Sequence, residues 1–375
     1  MPAPSPKPFR LNVPEAQVAD LKQRLASTRW PDEPPLPPWS SGTSVAYAKS
    51  LVDCWRTSFD WRQWEAKLNA FPQFTVPIRG IDLHFIHVPG RAPHSMPLLI
   101  SHGWPGSVFE FHKLIPLLAD EFTIVAPSLP GYTLSFKPGQ ARFGVIEMAD
   151  VFAELMRDVL GYQRFGAQGG DWGAFIASVL GHRYPEHLIG IHLNLLAVRR
   201  DGKLPASPTP QEKVFLEELN HFLKEETGYQ WIQGTKPQTL AFGLSDSPAG
   251  LAAWIVEKFR TWTDCGGNPE HAISRDEMLA NISLYWFTGA IGSSFWPYYA
   301  RMHGPWPIPE GETVNVPLGY AEFPKEILHP PRSLAEKVYA DIRRWSVMPK
   351  GGHFAALEQP EALAREVHDF FRALR

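Results

Sequence analysis

The chain has 375 residues, enough for one large α/β domain carrying an insertion or for two ordinary domains. Hydrophobic residues make up 44% and charged residues 20%, the composition of a globular protein, and the net charge of −3 offers no electrostatic case for binding nucleic acid or an anionic membrane surface. Two cysteines, Cys54 and Cys265, are too few for a disulfide framework or a cysteine-based zinc site and point to a reducing cytoplasm.

The Pro-rich start, Met1 to Pro8, lacks the apolar core of a signal peptide, and no run reaches the ~20 apolar residues of a membrane span. Residues 1–72 do not read as the start of an α/β sheet. Pro14 to Leu25 has apolar residues at helical spacing, Pro31 to Pro38 is a loop, and Val45 to Phe59 is a second helical stretch that Trp61, Trp64 and Leu68 could continue. This segment is expected to be an arm packed across the main domain, being too small and Pro-rich for a core of its own.

Strand patterns follow at Phe74 to Ile78, Ile81 to Val88, Pro97 to Ser101 and Phe122 to Ala126, with a helical run from Phe109 to Leu118 between the last two. A helix over Glu147 to Leu160, a strand ending near Gly169, a helix over Gly173 to Tyr184 and a strand over His187 to Asn194 continue the alternation. Strands alternating with helices imply βαβ units and a mostly parallel sheet, placed in residues 73–197. Residues 198–300 read as helical with Pro-rich breaks, an inserted cap. The sheet resumes in residues 301–375, with strands expected at Glu312 to Tyr320 and Trp345 to Pro349 and a closing amphipathic helix, Pro360 to Leu374.

Gly169-Gly170-Asp171-Trp172-Gly173 lies between a strand-like run and a helix-like run. This is the spacing of a nucleophile elbow, whose central residue occupies a strained strand-to-helix turn. The alternative is a Gly-rich turn with Asp171 as a helix N-cap. A carboxylate at the elbow attacks carbon and forms an ester, so it implies alkyl transfer. A base should follow the last strand, and His353 in Gly351-Gly352-His353-Phe354 fits, although a surface histidine is the plain alternative among 14. An acid should leave the preceding strand. Glu322 and Glu326 are both candidates, and spacing does not separate them. His102-Gly103-Trp104-Pro105, directly after the third strand, suits an oxyanion hole built from the backbone amides of Trp104 and Trp172.

These motifs, with Phe323-Pro324-Lys325-Glu326, Phe59-Asp60-Trp61 and Leu83-His84-Phe85-Ile86-His87, make the chain similar to the microsomal-type epoxide hydrolases over nearly its whole length. The resemblance implies the α/β-hydrolase fold, Glu326 rather than Glu322 as the acid, and a soluble member without the family's membrane anchor. It also implies two cap tyrosines that hydrogen-bond the epoxide oxygen. Gly228-Tyr229-Gln230 matches the first, and Ser293-Ser294-Phe295-Trp296-Pro297-Tyr298-Tyr299 contains the second, Tyr298 by ungapped alignment with Tyr299 adjacent. The implied reaction turns a small apolar epoxide and water into a vicinal diol, a detoxification chemistry, without metal or organic cofactor. It would proceed through an Asp171 ester that water activated by His353 hydrolyses. A haloalkane dehalogenase, with halide on Trp104 or Trp172, and a non-catalytic binding module are the rivals. Oligomeric state, including a homodimer, stays open.

Overall fold

The computed structural model describes residues 5–199 and 207–375; the expected arm and cap also include residues 1–4 and 200–206, which lie outside it. In chain order the strands are β1 (Lys7–Phe9), β2 (Gln73–Ile78), β3 (Ile81–Val88), β4 (Met96–Ser101), β5 (Phe122–Pro127), β6 (Phe165–Gly169), β7 (Leu188–Leu193), β8 (Leu318–Glu322) and β9 (Ile342–Val347). They form one sheet in the order β1-β2-β3-β5-β4-β6-β7-β8-β9. The pairings from β1 to β5 are antiparallel, and all those from β5 to β9 are parallel.

Strands covered on both faces need apolar residues at consecutive positions rather than alternate ones. Leu98, Leu99 and Ile100 of β4 and Ile124, Val125 and Ala126 of β5 meet that condition, all fully buried. The arm supplies α1 (Glu15–Ala26), α2 (Val45–Thr57) and α3 (Trp61–Asn69), and the core supplies α4 (Leu114–Leu118), α5 (Val145–Glu154) and α6 (Asp171–Arg183). Between β7 and β8, over the expected cap and just past its end at residue 300, lie α7 (Pro210–His221), α8 (Gly228–Thr235), α9 (Pro237–Asp246), α10 (Pro248–Thr261), α11 (Arg275–Thr288), α12 (Ile291–Ser294) and α13 (Trp296–His303). After these come α14 (Arg332–Ala335), α15 (Ala355–Glu358) and α16 (Pro360–Arg372).

Both faces of the sheet are covered, as β6 demonstrates. A Cβ at Gly166 would meet Phe371 of α16, whereas one at Gly169, on the opposite face by the two-residue pleat, would meet the backbone of Gly173 in α6. Sheet order and helix placement are those of the α/β-hydrolase fold. At β4 the strand order reverses between β5 and β6, and sites in such sheets form outside the carboxyl ends at this point.

Three expectations need correction. The arm does contribute to the sheet, because Lys7–Phe9 adds β1 to the edge of β2. Pro8 sits within that strand, and proline is tolerated there because an edge strand leaves half its donors unpaired. The strand expected over Glu312 to Tyr320 begins only at Leu318, and Val314 makes a single bridge to Tyr339. Pro317 lacks the N–H that would continue the ladder. The helix expected to run to Leu160 ends as a regular α-helix at Glu154, and Leu155–Val159 is a π-turn.

Candidate active site

Asp171 opens α6 with φ of 47°, a left-handed conformation that costs a non-glycine residue about 1–3 kcal/mol. The glycines around it make that turn sterically feasible. A Cβ at Gly173 would lie 1.9 Å from the Ser101 carbonyl oxygen, and one at Gly103 would lie 2.1 Å from Asp171 Oδ1. The elbow thus projects the carboxylate beyond the sheet, hard against the loop that follows β4. There the Trp104 N–H donates to Asp171 Oδ1 at 2.7 Å. The Trp172 N–H lies in the first turn of α6, where no helical carbonyl can reach it.

His353 lies on the loop after β9, and the backbone of the cap holds it in place: its N–H donates to the Trp262 carbonyl at 2.8 Å. Its Nε2 is 3.6 Å from Asp171 Oδ2, and its Nδ1 is 2.5 Å from Glu326 Oε1. Glu326 is fully buried, and the same oxygen accepts the Ile327 N–H at 2.7 Å. Burial alone would lower the His353 pKa. The charge of Glu326, the nearby Asp171 carboxylate and the hydrogen bond to Glu326 outweigh burial and raise it to about 10. Glu322 ends β8 instead and accepts the indole N–H of Trp345 at 3.1 Å.

The two cap tyrosines face Asp171 from above. Asp171, Trp172, Phe175, Tyr229, Gln230 and Tyr298, with Arg301, Met302, Trp306 and Ile327, surround a cavity of ≈ 560 Å³ counting its solvent-open mouth. The Tyr229 ring stacks on Trp104 at 5.4 Å, and the Tyr298 ring stands edge-on to Trp172 at 4.8 Å. Tyr229 Oη accepts from Gln230 Nε2 at 2.8 Å. Tyr298 Oη is buried and makes no hydrogen bond among the described residues, and its pKa is raised well above the ordinary phenol value, chiefly by burial. Tyr299 turns away, stacking on Trp296 and His303 in a separate surface depression.

Several site neighbours were not anticipated from sequence. Asn281 Nδ2 donates to the Pro105 carbonyl at 2.8 Å, Ser107 Oγ donates to Asn281 Oδ1 at 2.7 Å, and Tyr285 Oη donates to the Gly106 carbonyl at 2.6 Å. All three pin the loop carrying the Trp104 amide to α11 of the cap. Their only local signal was the i, i+4 spacing of polar groups on α11. His102 braces the same loop from below, accepting the Leu129 N–H at Nε2; burial lowers its pKa to about 4, so it is neutral. Glu110 lies against Gly106 in a smaller space that Asp171 and His353 also line, and burial raises its carboxyl to about 8. Among the described residues no group of three His, Cys, Asp or Glu side chains is placed to hold a metal ion, and no helix is long and apolar enough to cross a membrane.

Residues 6–111 match the family model described as epoxide hydrolase N terminus, and residues 96–215 match the alpha/beta hydrolase fold. A putative epoxide hydrolase of Stigmatella aurantiaca (strain DW4/3-1) is 43% identical over 98% of this chain and 85% of its own. Epoxide hydrolase 1 of Oryctolagus cuniculus is 38% identical over 97% of this chain and 88% of its own. Among solved structures, the epoxide hydrolase of Aspergillus niger superposes with a TM-score of 0.86 at 31% identity, covering 99% of this chain and 97% of that one. The chain belongs to the microsomal-type epoxide hydrolase family, enzymes that hydrolyse an ether bond.

Proposed function

We propose that the protein hydrolyses small apolar epoxides to vicinal diols in two half-reactions centred on Asp171. In the first, one Asp171 oxygen attacks an oxirane carbon while the hydroxyls of Tyr229 and Tyr298 stabilise the departing oxygen, leaving a hydroxyalkyl ester. In the second, His353, held by Glu326, takes a proton from water that attacks the ester carbonyl. The amides of Trp104 and Trp172 receive the oxyanion, and the diol leaves. The observation that carries this reading is His353 lying between Glu326 at 2.5 Å and Asp171 at 3.6 Å, while the Trp104 amide holds the other Asp171 oxygen. Esterification also explains how a histidine with so high a pKa becomes a base. It removes the Asp171 charge, one of the supports of the imidazolium.

The test is where the water oxygen goes. In a single turnover in heavy-oxygen water, with enzyme in excess over a styrene-oxide-like epoxide, label should enter the Asp171 side chain and the first diol should be unlabelled. His353→Gln should halt at the ester, leaving the Asp171 peptide heavier by one epoxide. Label in the first diol, with no adduct in the variant, would remove Asp171 as nucleophile. The indole N–H groups of Trp104 and Trp172 have no hydrogen-bond partner among the described residues, as a halide site would want. A haloalkane assayed for halide release is therefore the control, and none should be released.

A further inference from the structure

Lys258, in the last turn of α10, is a buried cation that the two half-reactions do not use; it is 5% exposed. Its Nζ stands over the Tyr229 ring at 4.6 Å from the centroid and over the Trp262 ring at 5.4 Å. Its carboxylate partner, Glu257 Oε2 at 2.5 Å, is the preceding residue on the same helix. Burying an ammonium against aromatic faces is costly unless the rings, or charge developing on them, repay its lost hydration. Among the described residues no such cation stands over Tyr298. Among the described residues, the charged and titratable groups lining the spaces beside Tyr229 are Lys258, Glu257 and Arg260 of α10, Glu225 and Glu226 before α8, and Asp171, Tyr298 and Arg301 across the cavity.

We propose that Lys258 is a positioning residue for ring opening: its ammonium makes Tyr229 the group that passes a proton to the epoxide oxygen and leaves Tyr298 to hold that oxygen by a hydrogen bond. The inference rests on the two-step reading above. In the first half an Asp171 oxygen bonds to carbon, the oxirane C–O bond breaks, and the Tyr229 proton moves to the freed oxygen. The resulting phenolate is stabilised by Lys258 while the ester exists. Hydrolysis then uses one water, whose hydroxyl ends on the acyl carbon while its proton passes through His353. The bond between the acyl carbon and the diol oxygen breaks, His353 gives its proton to that departing oxygen, and the remaining proton of the acyl hydroxyl passes to the Tyr229 phenolate, leaving the Asp171 carboxylate. Each cycle consumes one epoxide and one water and leaves the enzyme unchanged. The asymmetry agrees with Tyr298, whose hydroxyl is buried without a charged partner to favour its ionised form.

The experiment measures ester formation and ester hydrolysis separately in single turnovers of the full-length enzyme with a styrene-oxide-like epoxide. Lys258→Met keeps the length of the stem and removes the charge. It should slow ester formation roughly 10- to 100-fold, part of the ~10²–10⁴ a positioned acid supplies, and leave hydrolysis within about twofold. Lys258→Arg should recover most of the loss, and Lys258→Gln serves if the Met variant does not fold. In a Tyr229→Phe background Lys258→Met should cost nothing further; in a Tyr298→Phe background its full effect should persist. In His353→Gln, where the ester accumulates, the near-ultraviolet absorbance of a phenolate should rise with ester and vanish on Lys258→Met or Tyr229→Phe. Equal slowing of both halves, or a loss of the same size without Tyr229, would mean that Lys258 only packs the cap. A silent Tyr229→Phe would remove the donor and Lys258's role with it. An active donor with an additive Lys258 overturns the inference alone and leaves the two-step reading standing.

Discussion

His353 is held between two carboxylates, and its charge state decides what the site can do at a given pH. Its pKa of about 10 exceeds the ~6.5 of an unfolded histidine. The stability it contributes is therefore fully present below about pH 6.5 and is lost as pH rises through about 10. Glu326→Gln should flatten that loss, which urea midpoints taken across the window would register. The same variant should slow ester hydrolysis by at least about 10²-fold, since a base deprived of its orienting acid is much weaker, and change ester formation far less. Glu322→Gln should leave both steps near wild type, because the Glu322 carboxylate accepts from the Trp345 indole on the neighbouring strand. The reverse pattern would transfer the acid's role to Glu322. Hydrolysis of preformed ester should rise with pH and level off at a midpoint below about 10, because the Asp171 charge is absent from the ester. A flat profile would argue against His353 as the base.

At the scale of elements, the Trp104 amide is only as well placed as the loop that carries it, and α11 is what fixes that loop. Asn281→Ala would leave the Pro105 carbonyl without its donor and the Ser107 hydroxyl without its acceptor, a loss of about 1–3 kcal/mol. A shift of the amide by even a fraction of an ångström should slow turnover ~10- to 100-fold. Rate and thermal midpoint measured together test this; a stability loss with full activity would show that the loop holds itself. This anchor also marks where legibility in the sequence ended. The elbow was readable because glycine spacing expresses local sterics, and the long helices and apolar strands were readable from periodicity. Asp171, His353 and Glu326 are brought into one constellation, but choosing Glu326 over Glu322 needed family motifs. Asn281 and Tyr285 were illegible because their partners lie 176 and 179 residues away, and nothing local announces such a pairing. β1 escaped notice because three residues around a proline carry no strand pattern. The start of β8 was misplaced because Val314 and Val316 continue the apolar alternation that Pro317 interrupts.

Across the whole molecule, arm, cap and sheet share one continuous apolar cluster, in which Trp55 and Trp64 of the arm join Trp262 and Tyr285 of the cap and Leu99 of the sheet. The arm begins on the sheet through β1, and Asn69 and Glu65 of α3 receive the Leu11 and Val13 N–H groups at 2.9 and 2.6 Å. It then crosses to the cap. Arg24 of α1 bonds the Asp246 carboxylate at 3.0 Å, Thr43 bonds the Ala253 carbonyl at 2.7 Å, and the Trp55 indole donates to Ser283 Oγ on α11 at 3.0 Å. Ser283 lies two residues from each of Asn281 and Tyr285, so the arm steadies the helix that steadies the Trp104 loop. This continuity predicts how Trp55 variants unfold. Trp55→Ala removes a fully buried ring and its hydrogen bond and should cost about 3–5 kcal/mol, whereas Trp55→Phe keeps most of the packing and should cost about 1–2 kcal/mol. If the cluster unfolds as a unit, both variants should show one urea transition with a lowered midpoint and an unchanged slope, whether followed by fluorescence, by circular dichroism or by activity. An arm that merely rests on the surface would behave otherwise. Its loss would appear as a separate early transition, with diol formation persisting until a later one, and the arm would then be a detachable module with no part in holding the active-site loop.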